Sequence, residues 1–352
     1  MKKSPYRYFL FLLILLGSSG CDPSSTGGTE TGNPNTDVVS VAMLSSLDVV
    51  SSTLASGSTT STAALSLEAL NEGPDNEEIS ALSLPLSSGG CSESDSNVQI
   101  TTTCSESSHT ASIIKDLNDC EGGSNSIVSG TLYTSWYQMG TGSCSSATKR
   151  PRFSKAIQGT GARQIISTDA LPSDQTCGTP KTPLIRKFIG GTELRETGCR
   201  ILDYSNFSSA TESMTETLTL ENINRVKLRS SGAKAFDHTI STPTPLVTTL
   251  NIPSSKAIPK RTIQSGEVDV SHNLANFTVH HIYQNVIYDY SVCDCQPIDG
   301  SIGVTVTDNK TGSTLGSGTI TFTESTTGTC NSVTATYQGQ SLSLNLGSCR
   351  GF

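Results

Sequence analysis

The chain is predicted to be an all-β protein of antiparallel meanders and hairpins. It would form a sandwich or an open half-barrel, stapled by disulfides and preceded by a disordered N-terminal tether. Three observations predict this. Apolar and polar residues alternate with a period of two between turn-forming breaks, most clearly from Ile302 to Cys349. Cysteines recur through the body of the chain, from Cys91 to Cys349. The first ninety residues carry long Ser-, Thr- and Gly-rich stretches without sustained periodicity.

The chain starts with an export signal. Lys2, Lys3 and Arg7 flank or precede the apolar run Phe9 to Leu16, and Gly17, Ser18, Ser19 and Gly20 lead to Cys21. A basic start, a short apolar centre and small residues before a cut define a secretory signal over residues 1–20, too short for a permanent membrane span. A cysteine placed directly after such residues resembles the bacterial lipoprotein signal, with Ser18 standing where that pattern has an apolar residue. The resemblance covers residues 1–21 only. It implies a lipid such as palmitate on Cys21 and anchorage to a membrane of the cell envelope. The other reading of the same residues is an ordinary signal peptide that leaves Cys21 for a disulfide. Cysteine parity favours the lipid: of eleven cysteines, one lipidated leaves ten, enough for five bridges. Exported proteins keep such bonds, whereas cytosolic ones rarely do.

Residues 21–90 read as a lipid-anchored, low-complexity tether. From Asp22 to Thr36 nothing apolar can offset the entropy of ordering. Val38 to Val50 is a short apolar island, either helical or extended. Glu72, Asp75, Glu77 and Glu78 form an acidic cluster with no metal-loop spacing.

The folded region is predicted to begin near Cys91, with a β-rich part at 91–258 and a C-terminal part at 259–352 that can share one sheet. Ile127 to Gln138 reads as a strand with Val128, Leu132 and Trp136 on one face and Tyr133 and Tyr137 on the other. Trp136, the only tryptophan, is a core anchor by the area it buries. Phe153 to Ile166 reads as further strand, interrupted by Gly159 and Gly161. Leu184 to Leu194 is an apolar run holding Gly190 and Gly191. Leu218 to Leu228 leads to a turn at Ser230, Ser231 and Gly232, and Phe236 and Ile240 follow in one more strand. Pro243, Pro245, Pro253 and Pro259 then mark a connection or sheet edge, since proline cannot donate to a ladder. Beyond it, Gly266 to His272 and Phe277 to Tyr290 form a hairpin turning at Asn273 to Asn276. Four strands close the chain, and a last turn centred on Gln338 to Ser341 sets Tyr337 against Leu342 and Val333 against Leu346. That register predicts a Cys330–Cys349 disulfide, worth about 3 kcal/mol by loop entropy. The pairing of the other eight cysteines is open.

Chemistry is sparse. The net charge of −8 and the isolation of Lys149, Arg150 and Arg152 argue against nucleic acid as a partner. Cys293 and Cys295 point the same way in a strand, so each seeks a separate partner, and their spacing is not that of a zinc site. His280 and His281 face opposite sides of a strand. Ser146 with Lys149, Tyr204 with Asn206, and Lys310 to Gly312 resemble the three motifs of penicillin-binding proteins and β-lactamases. That family would make Ser146 the nucleophile and Lys149 its activator, but Pro151 and the missing helical period argue against a shared helix face. The sequence therefore assigns no catalytic, cofactor or metal residues. It points to an exported lipoprotein of the bacterial envelope, held at the outer membrane or cell surface rather than the inner membrane. Its sheet would serve a protein or glycan ligand, or the envelope itself, without catalysis. Two other classes stay in view: an envelope hydrolase or acyl-transfer enzyme, and a lipid or lipoprotein carrier with a curved sheet.

Overall fold

The computed structural model describes residues 91, 95–122, 126–169, 175–179, 182–208, 213–251, 260–289, 297–323, 332–337 and 340–345. Every strand belongs to one antiparallel sheet. In chain order the strands are β1 (Val98–Ser105), β2 (Thr110–Gly122), β3 (Ser126–Tyr137), β4 (Arg163–Ser167), β5 (Leu184–Phe188), β6 (Glu193–Ser208) and β7 (Ser213–Leu228). There follow β8 (Lys234–Asn251), β9 (Lys260–His272), β10 (Phe277–Asp289), β11 (Pro297–Asp308), β12 (Thr314–Phe322), β13 (Ser332–Tyr337) and β14 (Gln340–Asn345). Sequence neighbours are sheet neighbours throughout, apart from one broken lane. β4 and β5 lie end to end between β3 and β6, separated in sequence by residues 168–183. The predicted all-β, antiparallel, disulfide-stapled fold is the one observed, as a single hydrogen-bonded meander.

One face carries the core. Val98, Val128, Leu132, Trp136, Leu202, Leu218, Ile240, Val270, Val279, Val304 and Ile320 belong to one buried cluster that runs from β1 to β13. Trp136 is 0 % exposed and lies stacked 6.0 Å from Tyr204, the anchor its area predicts. The opposite face is wet except at β4 and β6. There Ile165, Cys199 and Ile201 form a second small cluster, with Tyr137 and Cys177 packed against it. The Cys177–Cys199 bridge ties Cys177, which lies between β4 and β5 in sequence, onto that patch. Cys91–Cys120 ties the residue before β1 to β2, Cys104–Cys144 ties β1 to the segment after β3, and with Cys177–Cys199 they settle three pairings that spacing left open.

Three sequence expectations need correction. Phe153–Ala156 is a single helical turn, α1, and the strand there is confined to β4. The stretch with Pro243 and Pro245 is neither a connection nor an edge: β8 runs through both and is paired on both sides. The prolines are tolerated because the ladders skip there, from Leu218 to Ile223 on β7 and from Ser241 through Thr244 to Val247 against β9. β8 and β9 then pair with each other, so the hydrogen bonding is continuous past residue 258. Finally, Tyr337 pairs with Gln340 and Val333 with Leu344, a register two residues tighter than expected. Only Gln338 and Gly339 separate the two strands, the loop length hairpins favour most. A shift of two leaves the parity of the pairing unchanged, and Ala335 is buried. The predicted Cys330–Cys349 bridge, Cys21 and its tether, and Cys293 and Cys295 lie outside the described residues.

Candidate functional site

Residues directly opposite one another in an antiparallel pair share a face. Followed across the sheet, this rule gives one continuous row. Leu184 lies opposite Glu196, Glu196 opposite Arg225 and Arg225 opposite His238. His238 in turn lies opposite His272, His272 opposite Phe277 and Phe277 opposite Asp308. Leu184 belongs to the main core, so the row stands on the core face. It lies near the sheet end where residues 189–192, 229–233, 273–276 and 309–313 turn. A second, shorter row runs closer to that end: Val128, Arg186, Leu194, Lys227 and Phe236.

Bulges bring these side chains to one face. On β7 the ladder to β6 passes from Glu221 to Asn224 while β6 advances only from Cys199 to Thr197, so Leu220 and Ile223 both point into the core. Gly198 takes φ +123° at this place. A Cβ there would meet the Ile223 Cα at 2.6 Å, so the crossing needs glycine. Beyond the bulge, Arg225 takes the core-face position that simple alternation from Leu218 would give to its neighbours.

The first part of the row is ionic. Glu196 uses Oε1 to accept from Arg200 at 2.5 Å and Oε2 to meet Arg225 at 3.3 Å, so both oxygens are engaged. Burial pushes the Glu196 carboxyl up, but Arg200, Arg225 and Arg186 together hold it below the usual carboxylate range. Arg186 is half-buried, and desolvation draws its pKa down, with Glu196 opposing. The second part is a ladder of rings. Phe236 and His238 stack at 4.7 Å, His238 meets His272 edge-on at 4.5 Å, and His272 stacks on Phe277 at 4.4 Å. Burial draws His238 down to about 4, helped by Arg225, and His272 down to about 3, helped by His238 and His281. Both imidazoles are therefore neutral at pH 7 and pack as aromatic rings.

A further polar group lies deeper on the same face. Tyr204 faces Glu216 across the β6–β7 ladder, and Glu216 accepts from Arg261 at 2.7 Å with both side chains almost fully buried. Tyr204 Oη lies 3.2 Å from Gln164 Oε1. Burial raises the Glu216 carboxyl against the pull of Arg261 and Tyr204.

The wet face holds the nearest thing to catalytic geometry. Ser241, Asp269, His280, Thr305 and Ser317 form a cross-strand row, with His280 Nδ1 at 2.6 Å from Asp269 Oδ1. β9 and β10 have a partner on either side, so their backbone N–H groups are committed to ladders and offer no oxyanion donors there. The pair is a cross-strand side-chain hydrogen bond. As predicted, His281 faces the other way, into the core. Ser146 and Lys149 lie in a turn where the Lys149 N–H donates to the Ser145 carbonyl, not on a helix face. Tyr204 is in the core, and Lys310 to Gly312 form the β11–β12 turn. Among the described residues no three metal-type ligands gather.

The fold and these rows define the class: a single-sheet, disulfide-stapled β protein with a basic and aromatic rim above an apolar core. No family model matches the chain, and neither curated proteins nor solved structures contain a match to it.

Proposed function

We propose that the protein is an exported lipoprotein, held to an envelope membrane through lipid on Cys21. Its sheet is presented at the outer membrane or cell surface as a non-catalytic binding module. The observation that carries the reading is the set of three disulfides built into the sheet. Such bonds are rare in the reducing cytoplasm and common in exported proteins. They agree with the basic start, the apolar run Phe9 to Leu16 and the small residues before Cys21. Binding rather than structure alone is favoured by the rim, where cations and aromatic rings converge on one face in a chain of net charge −8.

Membrane fractionation of the native host, with and without surface protease, combined with mass analysis of the mature amino terminus, tests this. The expected result is a membrane-bound, protease-accessible chain that begins at a lipid-modified Cys21. A soluble chain, or one that retains residues 1–20, overturns it.

A further inference from the structure

The shorter rim row contains two cations outside the direct ion pairs of Glu196, although Arg186 is close enough to feel that carboxylate's charge. Arg186 and Lys227 both lie directly opposite Leu194, one on β5 and one on β7, so they flank it on the core face. With strands about 4.8 Å apart, their backbones are roughly 10 Å from each other, and two long side chains can close on a group a few ångströms wide between them. Neither has an ion pair among the described residues. Among the described residues, the carboxylate on this part of the face is Glu196, which already spends one oxygen on Arg200 and the other on Arg225. Both cations are half-buried, and apolar residues lie beside them: Val128 opposite Arg186, Phe236 opposite Lys227 and Leu194 between. Two partly desolvated cations over an apolar floor attract an anion more strongly than the same pair would in open water. The guanidinium presents a planar fork suited to two oxygens of one anion, and the ammonium adds a mobile point charge.

We propose that Arg186 and Lys227, on either side of Leu194, form a binding site for a phosphate-class oxyanion. Free phosphate esters and the headgroup of an anionic lipid present the same chemistry. Phe236, stacked on His238, continues the row and would cover a carbon portion attached to the anion. The site names a ligand class for the binding module proposed above and rests on that reading for its biological setting. Its chemistry is testable in purified protein whatever the membrane anchorage turns out to be.

The test uses the oxidised mature chain, with inorganic phosphate and dihexanoyl phosphatidic acid as probes, titrated calorimetrically at constant ionic strength. Dihexanoyl phosphatidylcholine serves as the zwitterionic control. Saturable binding of a phosphate probe is expected. Arg186→Gln should weaken it at least tenfold, and so should Lys227→Gln, while Lys310→Gln in the distant β11–β12 turn leaves it unchanged. Circular dichroism and unchanged thermal unfolding without ligand show that each variant is folded. If phosphatidic acid binds at least tenfold tighter than inorganic phosphate, the headgroup of a lipid is the source. Equal affinity assigns the site to soluble phosphates. No saturable binding of either probe, or equal binding by the Arg186→Gln and unaltered proteins, overturns the proposal.

Discussion

His281 offers a test of how this sheet responds to acid. Its side chain is 0 % exposed between Val268 and Val304, and Nδ1 donates to the Val268 carbonyl at 3.2 Å. Burial draws its pKa from 6.5 to about 4; the Val268 and Val279 carbonyls oppose the shift and His280 adds to it. The unfolded chain binds this proton near pH 6.5, and the folded chain only near pH 4. Between those values the unfolded state holds more protons, so stability falls as pH falls. The contribution is fully present above pH 6.5 and declines through the window. At 1.36 kcal/mol per pKa unit, the loss at pH 4.5 is roughly 2.5 kcal/mol from this one histidine. His281→Leu removes the titration. At pH 7 it forfeits one neutral hydrogen bond, about 1 kcal/mol, and gains by no longer burying a polar ring, so the two proteins should then be nearly equal. Urea unfolding of the oxidised protein at pH 7 and pH 4.5 should therefore show the variant losing roughly 2.5 kcal/mol less than the unaltered chain. Glu216, whose raised carboxyl pKa contributes with the opposite sign in this window, is common to both proteins and cancels in the comparison. An identical pH dependence in the two proteins would refute the reasoning.

Arg261→Met leaves the Glu216 carboxylate buried without its cation and should cost about 3 kcal/mol or more at pH 7. The cost should shrink toward pH 5, as Glu216 takes up a proton, and a pH-independent cost in urea unfolding would count against the pairing. Replacing Cys177 and Cys199 with Ser opens a loop of 22 residues and should cost about 3 kcal/mol on the chain-entropy estimate. Because the bridge holds Cys177 against Ile165 and Ile201, proteolysis within residues 168–183 should accelerate, and an unchanged cleavage rate would show that the bridge is not the tie. Gly198→Val places a branched side chain at φ +123° against the Ile223 backbone, so it should destabilise by several kcal/mol, well beyond the usual effect of a strand substitution. A melting temperature within a degree or two of the unaltered protein would mean that β7 can shift to accommodate it.

The parts of this molecule that were legible in the sequence obey a local rule. Ile302, Val304 and Val306 alternate cleanly, Asn273 to Asn276 break the chain where a turn must fall, and Trp136 shares a parity with Val128 and Leu132. Each statement needs only a dozen neighbouring residues, so strand after strand could be placed. The rim could not. Arg186, Arg225, His238, His272 and Phe277 are spread over about ninety residues, and each strand that carries them reaches the rim through its own register. The bulge at Gly198 and Asn222 reverses the parity of β7 partway along, so counting from Leu218 sends Arg225 to the wrong face. The prolines misled for the same reason: Pro243 and Pro245 were read by their missing donors, whereas the ladder skips the donors at that spot on both sides of β8. One signal could have been used. His238, His272 and His281 carry hydrophobic neighbours at the strand period, Ile240, Val270 and Val279 among them, and an imidazole in an apolar row is one that the fold keeps neutral. Such a residue marks where a chain tolerates a polar ring among aliphatic ones, and in this sheet that place borders the two cations flanking Leu194.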